Sequence, residues 1–463
     1  MKPKKQKVFL FGIDGFVPKL VFGRYRNQLP NFSCLIEEGS YGILNSTVPP
    51  TSTVAWTSIN SGRDPGETGI QSYMAKQGRH YRTPSLVTST DIKTPLLWDM
   101  LSRKGKKTIA LNIPLTYPAK KINGVMVTDF LTPSFDDKSV YPVSFKKKIQ
   151  ELLFGKDYMF DVAGFLGYKK MNLDFLISQS YKMTKQHFKI ARYLFEKMDW
   201  DLFDFVTIGT DRLHHMFWAH IDPTHERYVK NSPYKNAVLD FYKYVDGEFG
   251  KFMKHSKMDS GTTVMVVSDH GMDHMIRRIN LNDWLREKGF LAVKKEFADF
   301  YANGPKRLDY ETIDWDKTSV IATEGYQANV YIYDKKNRVK ILRRISKELP
   351  LIRGVKGEKL NTKVYDTSKI YRKKGDKAPD AVVYFDNLRY GTNNDIGNKG
   401  LYSEGTTVGT DDAGHAPEGV IILKKEGGPL GNLGQVETVQ IAPTILKALG
   451  IKEYKKLSGK PLI

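Results

Sequence analysis

The sequence predicts an α/β fold: a mostly parallel central sheet sandwiched between helices, with an inserted cap lobe. Three observations predict it. Val8–Ile13, Leu202–Ile208 and Thr262–Val267 are nearly continuous apolar runs, the mark of strands buried on both faces. Each run is followed closely by an acid: Asp14, Asp211 and Asp269. Helical periodicity fills the intervals between them, the order that builds parallel sheets.

The elements follow in order. MKPKKQKVFLFGIDG has a basic start and a short apolar run that ends in Asp14 with no small-residue cleavage site. It reads as a solvated tail and the first strand, and the protein is expected in the cytoplasm. Gln28–Gly39 reads as a helix carrying Cys34 as a small buried hydrophobe. Ile43–Ser46 reads as a connector into residues 48–59, VPPTSTVAWTSI. There a Pro-Pro pair breaks regular structure before Thr51, Ser52 and Thr53, and Val54–Ser61 reads as a helix. Its first backbone N–H groups and its dipole point back at the hydroxyls. Such a hydroxyl can cap the helix, or it can attack a phosphoryl group that the same N–H groups hold.

Pro95–Gly105 reads as a helix, and Thr108–Ile113 and Val125–Thr128 as strands. Pro142–Phe154, Leu173–Met198 and Tyr234–Lys254 have helical periodicity. Leu281–Gly289 reads as a helix and Phe290–Lys294 as a strand. Segments from about residue 297 are shorter, more basic and irregular, with Arg338–Leu349 as one helix. Ala381–Phe385 returns to strand character. Asp386–Gly414, rich in Gly, Asn, Thr and Asp, reads as a long functional loop. Val420–Leu423 reads as a strand and Val436–Leu449 as the last helix, ending at Gly450. The division is therefore residues 1–296 as the first part of the catalytic core, 297–376 as the cap lobe, and 377–463 as the completion of the core.

Bulk properties exclude several classes. The chain has 463 residues and one cysteine, so it has no internal disulfide and no cysteine-based zinc site. No apolar run is long enough to span a bilayer. The net charge of +21 is spread over many short runs. It favours anionic partners, but no zinc-finger, RRM or KH signature accompanies it, so no specific nucleic-acid module is expected. The basic residues of 338–347 read as a solvated face. The cap as a whole is expected to select the leaving group and to favour one with additional negative charge. The sequence leaves the oligomeric state open.

Four segments offer hard metal ligands: Asp14; Asp211 with His215; Asp269 with His270; and His415 in GTDDAGHAPEG. Asp211 and His215 are four apart, which sets both on one face of a helix. His214 is as available as His215 until the register is known. Singly, each residue reads equally as a turn former, a helix cap or a loop residue. Jointly they give three carboxylates, three imidazoles and one hydroxyl, a set that suits two divalent ions. Two ions roughly 4 Å apart clamp an in-line displacement at phosphorus.

On GIDGF (12–16), PPTSTVAWTSINSGRDPGETGI (49–70), TDRLHHMFW (210–218), VSDHGM (267–272) and GHAPEG (414–419), the chain resembles the alkaline phosphatase superfamily. Within it, the resemblance is to the type I phosphodiesterase/nucleotide pyrophosphatase family, and QIAPTILKALGI (440–451) resembles that family's final helix. The resemblance implies Ser52 as the nucleophile. It implies Asp14, Ser52, Asp269 and His270 around one metal ion, and Asp211, His215 and His415 around the other. It implies zinc, or else manganese, as the ions, a small anionic phosphorylated substrate, and a cap inserted before His415. The sequence departs from eukaryotic nucleotide pyrophosphatases at Ala55, where they carry an Asn that donates to the phosphoryl oxygen. Trp56 and the segment 116–118 resemble a prokaryotic subgroup.

The expected activity is hydrolysis of phosphate esters or pyrophosphate bonds through a phosphoserine at Ser52. The alternatives within the superfamily are a phosphomonoesterase, a phosphonate hydrolase or a phosphoglycerate mutase. A mutase of this superfamily carries its large insert soon after the serine, whereas here it lies between His270 and His415. A sulfatase needs a C/S-x-P-x-R context that PPTSTVAW lacks. The alternative of another class is a non-catalytic polyanion-binding protein, which accounts for the charge but not for the seven site residues.

Overall fold

The computed structural model describes residues 5–75, 85–162, 169, 171–375, 377–405 and 410–463. The first four residues of the expected tail, residue 376 of the cap and residues 406–409 of the expected loop lie outside it.

Apolar runs in the sequence become a nine-stranded central sheet. In chain order its strands are β1 (Lys7–Ile13), β2 (Ser40–Asn45), β3 (Thr108–Leu111), β4 (Gly124–Val127), β5 (Val140–Tyr141), β6 (Leu202–Thr207), β7 (Thr262–Val267), β8 (Glu418–Lys424) and β9 (Gly431–Glu437). Their spatial order is β9-β2-β8-β7-β1-β6-β3-β4-β5. β1 lies between β6 and β7, parallel to both, with Phe9 level with Phe203 and Val264. β3 is parallel to β4 and β6, and β2 to β9. The remaining junctions, β2–β8, β8–β7 and β4–β5, are antiparallel.

Each side of β1 faces its own core, because successive side chains point to opposite faces. Phe9, Phe11 and Ile13 pack with Phe188, Phe195, Phe249 and Phe252 from the Leu173–Lys197 and Ala237–Met253 helices. Val8 and Leu10 pack with Trp56 and Ile59 of the Ser52–Ser61 helix and with Ile445 and Leu446 of the Ile441–Ala448 helix. Burial of each such side chain stabilises by about 1.5–3 kcal/mol. Close approach on this side depends on Gly12: a Cβ there would lie 2.3 Å from the Trp56 ring.

A third core, from Ile279 to Ile396, belongs to the segment between β7 and β8. It holds an antiparallel sheet of Val320–Ala322, Ala328–Ile332, Ala381–Tyr384 and Lys363–Asp366, in that spatial order. The Arg338–Glu348 helix buries Ile341, Leu342 and Ile345 and turns its basic residues outward. Asp380 gathers three cations of this region: Arg338 Nε at 2.7 Å, Lys374 Nζ at 2.7 Å and Lys335 Nζ at 3.3 Å.

Several expectations need correction. Ile43–Ser46 is not a connector: Ser40–Asn45 is a strand whose residues alternate between buried and half-buried. The start of the expected last helix is strand β9, and the helix itself is Ile441–Ala448. Phe290–Lys294 makes only an isolated bridge, Val293 with Ile313. Residues 386–414 are not one loop but include the short strands Tyr390–Thr392, Asp395–Ile396 and Tyr402–Ser403. Cys34 is exposed, because the Pro30–Glu38 helix buries Phe32, Leu35 and Ile36, a face that Cys34 falls outside. No helix among the described residues is long and apolar enough to cross a membrane.

Candidate active site

The C-terminal ends of β1, β6 and β7 deliver the acids to one place, where open parallel sheets bind ligands. Asp14 follows β1, and Gly15, at φ +67°, turns the chain immediately after it. Asp211 lies in the first turn of the Gly209–Ile221 helix after β6, with His215 one turn further on. Asp269 and His270 follow β7. His415 lies on Ala413–Ala416, which pairs antiparallel with Gly271–His274 and sets His415 opposite Met272. Ser52 opens its helix after Thr51, whose side chain makes no cap bond. All seven residues are buried, none more than 4% exposed.

Their polar atoms converge. Ser52 Oγ lies 3.3 Å from Asp14 Oδ1 and 3.3 Å from His270 Nε2. Asp211 Oδ1 lies 3.2 Å from His215 Nε2 and 3.7 Å from His415 Nε2. His270 Nε2 lies 3.1 Å from Asp269 Oδ2 and 3.5 Å from Asp14 Oδ1. The rings of His270 and His415 stack with centroids 3.6 Å apart. Ligand atoms of Asp211, His215 and His415 lie within 4.8 Å of one another, and so do those of Asp14, Asp211 and His270. Asp211 is thus common to both groups, and Asp269 adjoins the second through His270.

The backbone fixes how the three histidines present themselves. His215 Nδ1 lies 2.8 Å from Ala413 O, His270 Nδ1 3.0 Å from Gly271 O, and His415 Nδ1 2.7 Å from Pro50 O. A carbonyl only accepts, so each Nδ1 carries a hydrogen, and in the neutral ring each Nε2 offers a bare lone pair. Those lone pairs face carboxylate oxygens. Among the described residues, Asp211 Oδ1 and Asp269 Oδ2 are buried and find no hydrogen-bond partner. Facing lone pairs in a dry interior repel unless a proton or a metal cation lies between them.

The carboxyls register the same crowding. Burial, then the charges of Asp269 and Asp211, push Asp14 well above the usual carboxylate range. Burial and then Asp211 do the same to Asp269. For Asp211 burial acts upward too, but His215, Arg212 and His415 outweigh it and hold the group low. Burial pushes His415 well below the usual imidazole range. A divalent cation offsets the crowding that raises Asp14 and Asp269, and this donor set of carboxylate oxygens, imidazole nitrogens and a hydroxyl is the kind that binds one.

Helix register separates the residues that sequence alone left equivalent. His214 is one position off the site face: Tyr242 Oη lies 3.2 Å from its Nε2, and its ring sits edge-on to Trp218. Thr53 Oγ1 is buried with no hydrogen-bond partner among the described residues and shares none of the contacts that Ser52 makes.

Other contacts at the site escaped the sequence reading. Trp56 Nε1 donates to Asp14 Oδ2 at 2.9 Å; its i,i+4 spacing from Ser52 was the available signal. Arg212 donates to Asp211 Oδ2 at 2.6 Å and to both oxygens of Asp161 at 2.9 Å. Tyr326, half-buried between the Val320–Ala322 and Ala328–Ile332 strands, brings its hydroxyl to 3.1 Å from His215 Nδ1 and its ring to 4.3 Å from His415. Tyr73 donates to Ser52 Oγ at 3.2 Å. No local spacing marks Tyr326 or Tyr73.

A mostly parallel sheet with this buried donor set at its strand ends is the architecture of the metal-dependent phosphoester hydrolases of the alkaline phosphatase superfamily. The chain belongs to the "Type I phosphodiesterase / nucleotide pyrophosphatase" family, whose model matches residues 8–412. It is a phosphodiester hydrolase of that family. Among solved structures it is similar to murine ectonucleotide pyrophosphatase / phosphodiesterase 5 as an inactive variant in complex with AMP. That match has a TM-score of 0.58 at 13% identity and covers 99% of this chain and 98% of the other. A second structure of the murine protein matches with a TM-score of 0.58 at 12% identity, over 99% of this chain and 98% of the other. The human counterpart matches at 0.57 and 13%, over 99% and 97%. At these identities the likeness concerns the fold. A search of curated proteins gives no match.

Proposed function

We propose that the chain hydrolyses phosphate diesters or pyrophosphate bonds through a phosphoseryl intermediate on Ser52, at a site holding two divalent ions. One observation carries this reading: three histidines, each fixed through Nδ1 to a backbone carbonyl, turn Nε2 toward carboxylate oxygens, and His270 Nε2 and Asp14 Oδ1 both lie 3.3 Å from Ser52 Oγ. Asp14, Asp269, His270 and Ser52 would hold one ion and Asp211, His215 and His415 the other, with zinc or manganese suited to the donors. Such ions lower the pKa of an attacking hydroxyl and offset charge on phosphoryl oxygens.

The chain's own residues do the rest. Ser52 Oγ gives its proton to water and attacks phosphorus in line. The Oγ–P bond forms, the bond to the leaving oxygen breaks, and that oxygen takes a proton from water. A second water then cleaves the phosphoserine. The helix that Ser52 opens directs its first N–H groups toward the phosphoryl oxygens. Residues 297–376 act as a cap, and Tyr326 from that lobe meets the site at His215 and His415. The pairing of Lys335, Arg338 and Lys374 with Asp380 supports a structural use of those cap cations, leaving less of the cap's charge to select leaving groups.

The test is a metal-supplemented screen with nitrophenyl mono- and diesters, nucleotides and phosphonates. Diesters or pyrophosphates are expected to turn over, and Ser52→Ala to abolish turnover while the protein stays folded. Turnover by Ser52→Ala with loss in Thr53→Ala would move the nucleophile to Thr53.

A further inference from the structure

A phosphoryl group in transfer needs a hydrogen-bond donor for the oxygen that the ions do not hold. The side chains nearest Ser52 Oγ, beyond the first N–H groups of its helix, mostly bring none. Asp14 Oδ1 and His270 Nε2 bring lone pairs. Ala55, one turn into the helix, brings no polar atom. The guanidinium of Arg212 is committed to Asp211 and to both oxygens of Asp161. Tyr73 is different: its O–H donates directly to Ser52 Oγ at 3.2 Å.

We infer that the Tyr73 hydroxyl is a catalytic hydrogen-bond donor to a non-bridging oxygen of the phosphorus attacked by Ser52. The inference rests on the serine reading above. A phosphorus bonded to Oγ carries its non-bridging oxygens one bond further out, within reach of a hydroxyl already in contact with Oγ. As Oγ passes from hydroxyl to ester its lone pairs weaken as acceptors, while charge grows on the non-bridging oxygens. The Tyr73 hydrogen bond therefore moves to the phosphoryl oxygen as the reaction proceeds, and no proton changes hands.

The placement is held from several sides. The Tyr73 carbonyl accepts from Val87 N at 2.9 Å, where the Met74–Ala75 strand meets Ser85–Leu86. Its ring packs edge-on to Phe130 at 6.3 Å, and Phe130 in turn lies under the Arg212 guanidinium at 5.1 Å. A hydroxyl fixed in this way costs little reorganisation when charge develops, which is the condition for a large catalytic effect.

The test is Tyr73→Phe, assayed in the metal-loaded enzyme with methyl p-nitrophenyl phosphate and with the two stereoisomers of its phosphorothioate. We expect kcat on the oxygen substrate to fall by about 10²–10³-fold, with KM within about threefold of wild type. The loss should shrink for the one stereoisomer that places sulfur, a poor acceptor, against position 73. Orthovanadate, which mimics the transferring group, should bind about ten- to a hundredfold more weakly by calorimetry, with metal content unchanged. Equal losses for the oxygen substrate and both sulfur isomers, or kcat within about threefold of wild type, would overturn the inference. If Ser52→Ala remains active, it is the serine reading that fails; an inactive Ser52→Ala beside a fully active Tyr73→Phe removes Tyr73 alone.

Discussion

Trp56→Phe isolates one hydrogen bond of the metal site. Trp56 Nε1 donates to Asp14 Oδ2 at 2.9 Å, and its ring is wholly buried against Gly12. Phenylalanine keeps an aromatic ring there and removes the N–H. A hydrogen bond to a charged group contributes about 1.5–3 kcal/mol, or roughly 10- to 150-fold in an equilibrium. Loss of a partner that orients a metal ligand costs about 10- to 100-fold in metal affinity. Both routes give the same window, so the ion bound through Asp14 should weaken by about ten- to a hundredfold while the other changes little. The assay is competition with a chromophoric chelator after metal removal. A urea unfolding curve accounts separately for the smaller ring, since shrinking a core side chain has its own stability cost. Unchanged affinity for both ions, or equal weakening of both, would refute the view that Trp56 acts by holding Asp14.

Two further outcomes follow from the same structure. His415→Ala should retain one ion and lose the other by elemental analysis, because His415 Nε2 faces Asp211 Oδ1 and the His270 group stands without it; retention of both ions would remove His415 from the site. Asp204, in the middle of β6, is fully buried with neither carboxylate oxygen hydrogen-bonded among the described residues, and burial raises its pKa well above the usual range. Its contribution is therefore fully present below the unfolded-state value near 4 and lost as pH rises toward the folded-state value. Asp204→Asn should flatten the pH dependence of unfolding above about pH 4 by up to ~1.4 kcal/mol per unit. Equal slopes in urea unfolding at pH 5 and pH 7 would contradict this.

Much of this fold is legible because its central strands are buried on both faces. β1, β6 and β7 leave nearly continuous apolar runs, and the acids that follow them mark the sheet's functional end. β2 and β9 hide from the same reading. SYGILN alternates over six residues with a glycine inside, and GNLGQVE is largely exposed at the sheet edge, so neither has the apolar density of a central strand. Cys34 misled because an amphipathic window admits it to either face, and only the register of Phe32, Leu35 and Ile36 excludes it from the core. At the site, residues tied to strand ends carried their own signal. His214 and His215 needed the helix register to be told apart. Tyr73 and Tyr326 reach the site through packing between segments distant in sequence, for which no local spacing exists.

The central claim is covalent chemistry at Ser52, and trapping tests it most directly. Enzyme loaded with metal and mixed with a diester substrate is quenched in acid within the first turnovers and digested, and the peptide containing Ser52 is analysed by mass spectrometry. The account predicts the mass of the transferred phosphoryl group on Ser52, absent in Ser52→Ala. Turnover at full rate with no modification of that peptide, or modification at Thr51 or Thr53 instead, would contradict it.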